Sequence, residues 1–214
     1  MDCPSGDCKS FMINLMVGSE RLILRPYKKA DFSVWLKERQ GRKPSQNEFD
    51  RGQVSEKFLT EEKFHRVLRR LEKAAQKDLL FSFGIFHRET GESLGRLSFR
   101  ITTRQSFQSA NLGYEISNQY WGKGYAAEAV KAIIPVAFKN LQLHRVEVGV
   151  ESHNLASLKV ANKVGLKREG VRESCYFNGK CWVDLIYFRV IPEDFGFKAT
   201  KPTIKPDLQD YLKR

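Results

Sequence analysis

The sequence predicts an α/β (α+β) domain in which about seven strands are flanked by helices. Three observations carry this reading. Seven short segments have the alternating or concentrated apolar residues of strands, and two joins between them carry hairpin signals, RETGE at 88–92 and the dipeptide Asn178-Gly179. From Gly124 onward, helical and strand patterns interleave. The 214 residues are 41% hydrophobic and 12% aromatic, enough for one domain with a full core.

Taken in order, an irregular leader at 1–19 gives way to a domain at 20–193 and a tail at 194–214, loosely attached from Lys198 onward, where Pro202 and Pro206 fall. RLILRPY (21–27) reads as the first strand, and KKADFSVWLKER has helical spacing at Phe32, Trp35 and Leu36. GRKPSQNEFDRGQVSE (41–56) is polar, with Pro, Asn and two Gly, which predicts a long loop of the kind that binds something. A helix follows between Glu61 and Lys77, its apolar face formed by Phe64, Val67, Leu68 and Leu71 and its other face densely basic. LLFSFGIF, SLGRLSFRI and ANLGYEIS are three consecutive strands. Ala126, Val130, Ile133 and Ala137 give a helix over 124–140, kinked at Pro135, which lacks an amide donor. HRVEVGVE (144–151) alternates as a strand. NLASLKVANKVG is a helix capped by Asn154 and stopped by Gly165, and RESCYFNGKCWVDLIYFRV is a closing hairpin.

The net charge of +12, from 37 Lys and Arg against 25 Asp and Glu, attracts anions: phosphates, nucleic acid or an acidic protein surface. A solvated basic surface without a specific partner is the alternative. Cysteines at 3, 8, 175 and 181 make neither a disulfide framework nor paired CxxC zinc ligands, which points to a cytoplasmic protein. Histidines 65, 87, 144 and 153 lack ligand spacing, so no metal is expected. The start has the wrong pattern for a secretory signal, and no run of eighteen apolar residues exists, so no membrane association is expected.

NQYWGKGYAAEA (118–129) runs through Gly122 and Gly124 straight into a helix. The first turn of a helix presents backbone amides without intrahelical partners and carries partial positive charge, so this spot favours phosphate oxygens. Glycine spacing alone also fits an ordinary strand-to-helix turn that needs left-handed residues. Neither G-x-x-x-x-G-K-[ST] nor a complete G-x-G-x-x-G is present, because Ala127 stands where the third glycine would be.

The ordered set is more specific. QYWGKG follows LGYEI and precedes HRVEVGVESHNLASLKVANKVGLKREG by one helix, and together these resemble the acetyl-CoA-binding core of the GNAT superfamily of N-acetyltransferases. More narrowly, the LGY, G-x-G-x-x-x-E-A, HR and N-x-x-S blocks resemble the branch that acetylates ribosomal proteins at an N-terminal alanine or serine, over residues 20 to 193. The resemblance implies a GNAT fold: a central mixed, mostly antiparallel sheet of about seven strands, splayed between the fourth and fifth. It implies that Gln119, Tyr120, Trp121, Gly122, Lys123, Gly124 and Tyr125 cradle the CoA pyrophosphate, and that the backbone of Tyr114, Glu115 and Ile116 pairs with the pantetheine arm. Asn154 and Ser157 match N-x-x-S, the asparagine contacting pantetheine and the serine near the sulfur. From the residues alone, the same pair reads as a helix cap and a polar third residue.

In such a reaction the amine must arrive neutral and the departing thiolate must be protonated. Ser157 is the candidate proton donor, and the amide near Tyr114 would polarise the carbonyl. An α-amine with a pKa near 8 is about one quarter neutral at pH 7.5, whereas a lysine near 10.4 is neutral in about one part in a thousand, so an N-terminal substrate needs the weaker base. Relatives commonly carry an acidic residue just ahead of LGY, where this chain has Asn111, and some a glutamate where it has Cys175. The remaining base candidates are Glu115 and Glu173, the latter sharing a strand face with Cys175, with a water chain to bulk as the alternative. Trp121, Trp182, Tyr114 and Phe177 either line the acceptor cleft or belong to the core.

The function implied is acetyl transfer from acetyl-CoA to a primary amine in a ternary complex, the acceptor being the N-terminal α-amine of a ribosomal protein. Ribosome or RNA proximity would come through the basic surface, and the chain would be a monomer or homodimer. A small-molecule amine acetyltransferase and a non-catalytic CoA-sensing or ribosome-binding module are the other classes.

Overall fold

The structure, a computed structural model, describes residues 15–202. Cys3, Cys8, the leader before residue 15 and the tail beyond 202, Pro206 included, lie outside the described residues. Eight strands occur among them, one more than expected, because Val17–Gly18 (β1) pairs antiparallel with Leu22–Arg25 (β2). This corrects the reading of 1–19 as irregular throughout: two residues are too short a run to show a period. The other strands are Leu80–His87 (β3), Ser93–Thr103 (β4), Ser109–Ile116 (β5), Arg145–Glu151 (β6), Lys167–Phe177 (β7) and Trp182–Val190 (β8). Four helices accompany them: Phe32–Gln40 (α1), Glu61–Gln76 (α2), Tyr125–Lys139 (α3) and Leu155–Val164 (α4). The result is the mixed, mostly antiparallel α/β architecture expected.

The described residues divide into two compact units, one running up to Phe99 and including Gly113–Ile133, the other holding Arg100–Leu112 and the described residues from Ile134 on. In the first, strand order follows the sequence from β1 to β5. Leu22 and Leu24 are fully buried and alternate with half-buried neighbours, the signature of a strand with one face in the core. The RETGE turn closes as predicted: the His87 amide donates to Glu92 O at 2.8 Å and the Gly91 amide to His87 O at 2.9 Å. α2 starts at Thr60, whose hydroxyl accepts from the Lys63 amide, and sets Phe64, 1% exposed, against Tyr27, Phe32 and Trp35 with ring centroids 5.0–6.1 Å apart. Val67 is exposed, not part of the buried face; it lies at the rim of a stripe narrowed to Phe64, Leu68 and Leu71.

In the second unit, β6 runs parallel to β5 over three residues, Ser109–Asn111 opposite Arg145–Glu147, and antiparallel to β8 over six. Val146, Val148 and Val150 are buried on one face of β6. α3 continues through Pro135 to Lys139 as one helix. Gly165, at φ +85°, ends α4 in the left-handed conformation that favours glycine. The β7–β8 hairpin closes through a four-residue loop, 178–181, in which the Asn178 side chain accepts from the Lys180 and Cys181 amides at 3.0 and 3.1 Å. Its tip carries Phe177 and Trp182, paired at 5.7 Å and 52% and 64% exposed, so neither is a core aromatic.

Candidate functional site

The glycine turn forms where the sequence places it. After β5, a short 3-10 turn over Asn118–Tyr120 leads through Trp121, Gly122, Lys123 and Gly124, all exposed, into α3. Gly122 and Gly124 sit at φ +79° and +81°, a region L side chains avoid, and a Cβ at Gly122 would meet nothing within 4 Å. The two glycines therefore serve backbone conformation, and no side chain at 122 or 124 covers the exposed turn. The Trp121 indole donates to Ile116 O at 2.6 Å, so that carbonyl, expected to face pantetheine, already has one partner.

Arg21 fastens the turn from below. Its guanidinium donates to Lys123 O at 3.1 Å and to the Glu128 carboxylate at 2.8 Å, and it lies 4.8 Å from the centre of the Tyr125 ring. Glu128, in the first turn of α3, also accepts from the Ser19 hydroxyl and the Arg21 amide. Burial works against ionisation of Glu128, but these hydrogen bonds and the Arg21 charge outweigh it and hold the carboxyl below its ordinary range. Sequence reasoning named neither residue in this role; the E in G-x-G-x-x-x-E-A was the available signal.

The 41–56 segment is a loop, as expected, but an ordered one. Arg42, with its side chain 1% exposed, pairs with Asp50 at 3.4 Å and Glu115 at 2.7 Å, and Arg96 pairs with the other Glu115 oxygen at 3.2 Å. These ion pairs weigh against Glu115 as a base. Burial would raise its pKa, but the Arg42 hydrogen bond and the charges of Arg96, Arg42 and Arg39 hold the carboxyl below its ordinary range, and a carboxylate so pinned takes a proton poorly. Glu38 is the opposite case. It is 1% exposed, accepts from the Ser117 hydroxyl and lies 3.2 Å from Arg39, yet burial pushes its pKa up.

The remaining site residues lie in the second unit. The Asn154 side chain accepts from the Ser157 amide at 3.1 Å, capping α4 and bringing the two N-x-x-S residues together, with Ser157 half-buried. The cap is thus real, and it fixes the serine on the first turn. Glu173 lies on a different element, β7, every residue of which is exposed. The expected shared face of Glu173 and Cys175 is a misreading. The strand bulges between Arg172 and Tyr176, Ser174 adopts φ +44°, and the two-residue alternation is broken there. Cys175 and Cys181 are exposed free thiols. Among the described residues, no group of three or more His, Cys, Asp or Glu is placed to hold a metal, and no helix is long and apolar enough to cross a membrane.

Residues 21–167, more than half the chain and spanning the glycine turn, match the family described as Acetyltransferase (GNAT) domain. The chain belongs to the GNAT family of N-acetyltransferases. Among its GNAT relatives, Probable N-acetyltransferase YjcK of Bacillus subtilis (strain 168) is 34% identical over 128 residues, 59% of this chain and 70% of that protein. The ribosomal protein uS5-alanine N-acetyltransferase of Escherichia coli (strain K12) is 28% identical over 115 residues, 54% of this chain and 59% of that enzyme, so the match spans less than two thirds of it. The GNAT fold is shared with Mycobacterium smegmatis RimJ, solved in complex with CoA-disulfide, at TM-score 0.70 and 23% identity over 86% of this chain and 91% of that one.

Proposed function

We propose that this protein moves the acetyl group of acetyl-CoA to the N-terminal α-amine of a ribosomal protein, by direct transfer within a ternary complex. The observation that carries the cosubstrate half is the exposed turn 121–124, with its two positive-φ glycines opening α3. A helix start reached through two side-chain-free residues, on a chain of net charge +12, suits a pyrophosphate. In this reading Gln119–Tyr125 hold the diphosphate, the β5 backbone at Tyr114–Ile116 takes the pantetheine arm, and Asn154 and Ser157 act near the sulfur.

The neutral amine nitrogen attacks the thioester carbonyl, a C–N bond forms and the C–S bond breaks; the nitrogen gives one proton to water and keeps the other as the amide N–H, while the thiolate takes a proton from the Ser157 hydroxyl, which regains one from water. The pinned Glu115 supports an acceptor that needs little help in losing a proton, which an α-amine satisfies far better than a lysine. Likeness to the uS5-alanine enzyme supports the protein acceptor. Cytoplasmic residence belongs to the same proposal. The test is mass spectrometry of protein N-termini in cells with and without this chain: specific N-termini should lose acetylation in its absence, and an unchanged profile removes the acceptor class.

A further inference from the structure

The loop at 42–52 is held by polar contacts more than by packing. Of its residues, only Arg42, Asp50 and Gly52 are buried. One side chain supplies much of the hold. Asn118, 4% exposed, donates to Lys43 O at 2.8 Å, Pro44 O at 3.3 Å and Asp50 Oδ2 at 2.8 Å, and accepts from the Lys43 amide at 2.8 Å. Its donor and acceptor groups are both committed to the loop. Asp50 then gathers the loop around itself, accepting from the Gln46 and Gly52 amides at 2.9 and 3.0 Å and pairing with Arg42.

The placement of Asn118 gives this knot a consequence. It opens the 3-10 turn and directly precedes Gln119, the first residue of the proposed diphosphate cradle. The loop's other anchor, Glu115, lies in the strand proposed to carry pantetheine. Both fixed points of the loop are therefore on the stretch that would hold acetyl-CoA.

We propose that Asn118 is a positioning residue that couples this stretch to the 42–52 loop, so that acetyl-CoA bound at 119–125 steadies the loop as a wall for the acceptor. The proposal rests on the reading of 119–125 as the acetyl-CoA site. Without the Asn118 bonds, an eleven-residue loop with so little buried side chain regains conformational freedom, and the acceptor must order it on binding. The acceptor KM therefore carries the loss, while the turn keeps its own glycines and the Arg21 strap.

Asn118→Asp is the informative variant, because it is isosteric, loses both donated protons and sets a second carboxylate against Asp50. It should raise KM for an N-terminal peptide by about 10- to 100-fold, with kcat and the acetyl-CoA Kd within about threefold. The double variant N118D/D50N restores one amide facing one carboxylate and should recover most of KM. In the wild type, acetyl-CoA should slow hydrogen exchange at the amides of 43–52, and in N118D it should not. An unchanged KM in N118D overturns the proposal, as do kcat and KM changing together with melting temperature without recovery in the double variant. If calorimetry finds no acetyl-CoA binding by the wild type, the cosubstrate reading falls and this proposal with it. Binding without altered exchange at 43–52 overturns this proposal alone.

Discussion

Gly124→Asp puts a carboxylate on the exposed side of the turn, where the diphosphate is proposed to lie. At φ +81° any side chain strains the backbone, Asn and Asp least, and both to a similar extent. Gly124→Asn is therefore a control for shape and strain, and the ratio of the two affinities isolates charge. The turn is open to solvent, so the repulsion is that of charges in or near water, about 1 kcal/mol for a pair at 4 Å and up to about 4 where water is partly excluded. Taking one near phosphate and a second at twice the distance, the penalty is about 1.5 kcal/mol in water and about 3 kcal/mol at an effective dielectric of about 40, midway to the partly excluded case, or roughly 10- to 100-fold in Kd. Calorimetry with acetyl-CoA should show G124D weaker than G124N by that factor at low salt. The ratio should shrink toward about threefold near 1 M salt, where the Debye length is about 3 Å. S-acetyl-pantetheine, which lacks the diphosphate, should not distinguish the variants. Equal affinity of G124D and G124N for acetyl-CoA would refute the placement of the phosphates.

Ser157→Ala should lower kcat by about 10- to 1000-fold with little change in acetyl-CoA affinity, read from steady-state kinetics and calorimetry; an unaffected kcat would leave Ser157 as a helix residue only. Glu38→Gln keeps an acceptor for the Ser117 hydroxyl and removes a carboxyl whose pKa burial raises, so the variant should be more stable at pH 7–8, by about 2–4 °C in Tm for each 1 kcal/mol gained. That advantage should fade as pH drops through the raised folded pKa toward the ordinary carboxylate value, and a uniform Tm shift at all pH would contradict the assignment. Glu115, Asp50 and Glu128 work in the other sense: their folded pKa values are depressed, so their stabilisation is present above about pH 4–5 and lost as pH falls through the folded values, which an acid melting series reads. Neutralising Arg66, Arg69, Arg70 and Lys73 on α2 should raise KM for an intact protein acceptor and flatten its salt dependence while a short peptide is acetylated as before; equal loss for both would place those charges at the chemistry.

Elements with a strong period or a named turn residue were legible in the sequence. The alternating valines of β6, the Asn154 cap, the Gly165 stop and the RETGE turn all signal locally, and each appears in the structure. What stayed hidden depends on partners distant in sequence. Nothing near Asn118 announces that it holds a loop 75 residues earlier, nor near Glu115 that Arg42 and Arg96 neutralise it. The bulge at 173–175 was invisible for a related reason: the backbone N–H of Ser174, at positive φ, donates a hydrogen bond to the Asp184 carboxylate across the hairpin, a partner ten residues away. Val67 and Trp182 show the remaining limit, since periodicity identifies a stripe or a strand but not where burial stops.

The most direct measurement is to incubate the purified protein with acetyl-CoA and a peptide panel, following free CoA thiol and locating the acetyl group by fragmentation mass spectrometry. The panel should pair peptides with free N-terminal Ala or Ser against the same peptides blocked at the N-terminus but carrying internal lysines. The expected result is one thiol released per acetyl group, with acetyl on the α-amine of the unblocked peptides. Acetyl on lysine side chains of the blocked set, or no product from any peptide despite measurable acetyl-CoA binding, would contradict α-amine transfer as the function of this chain.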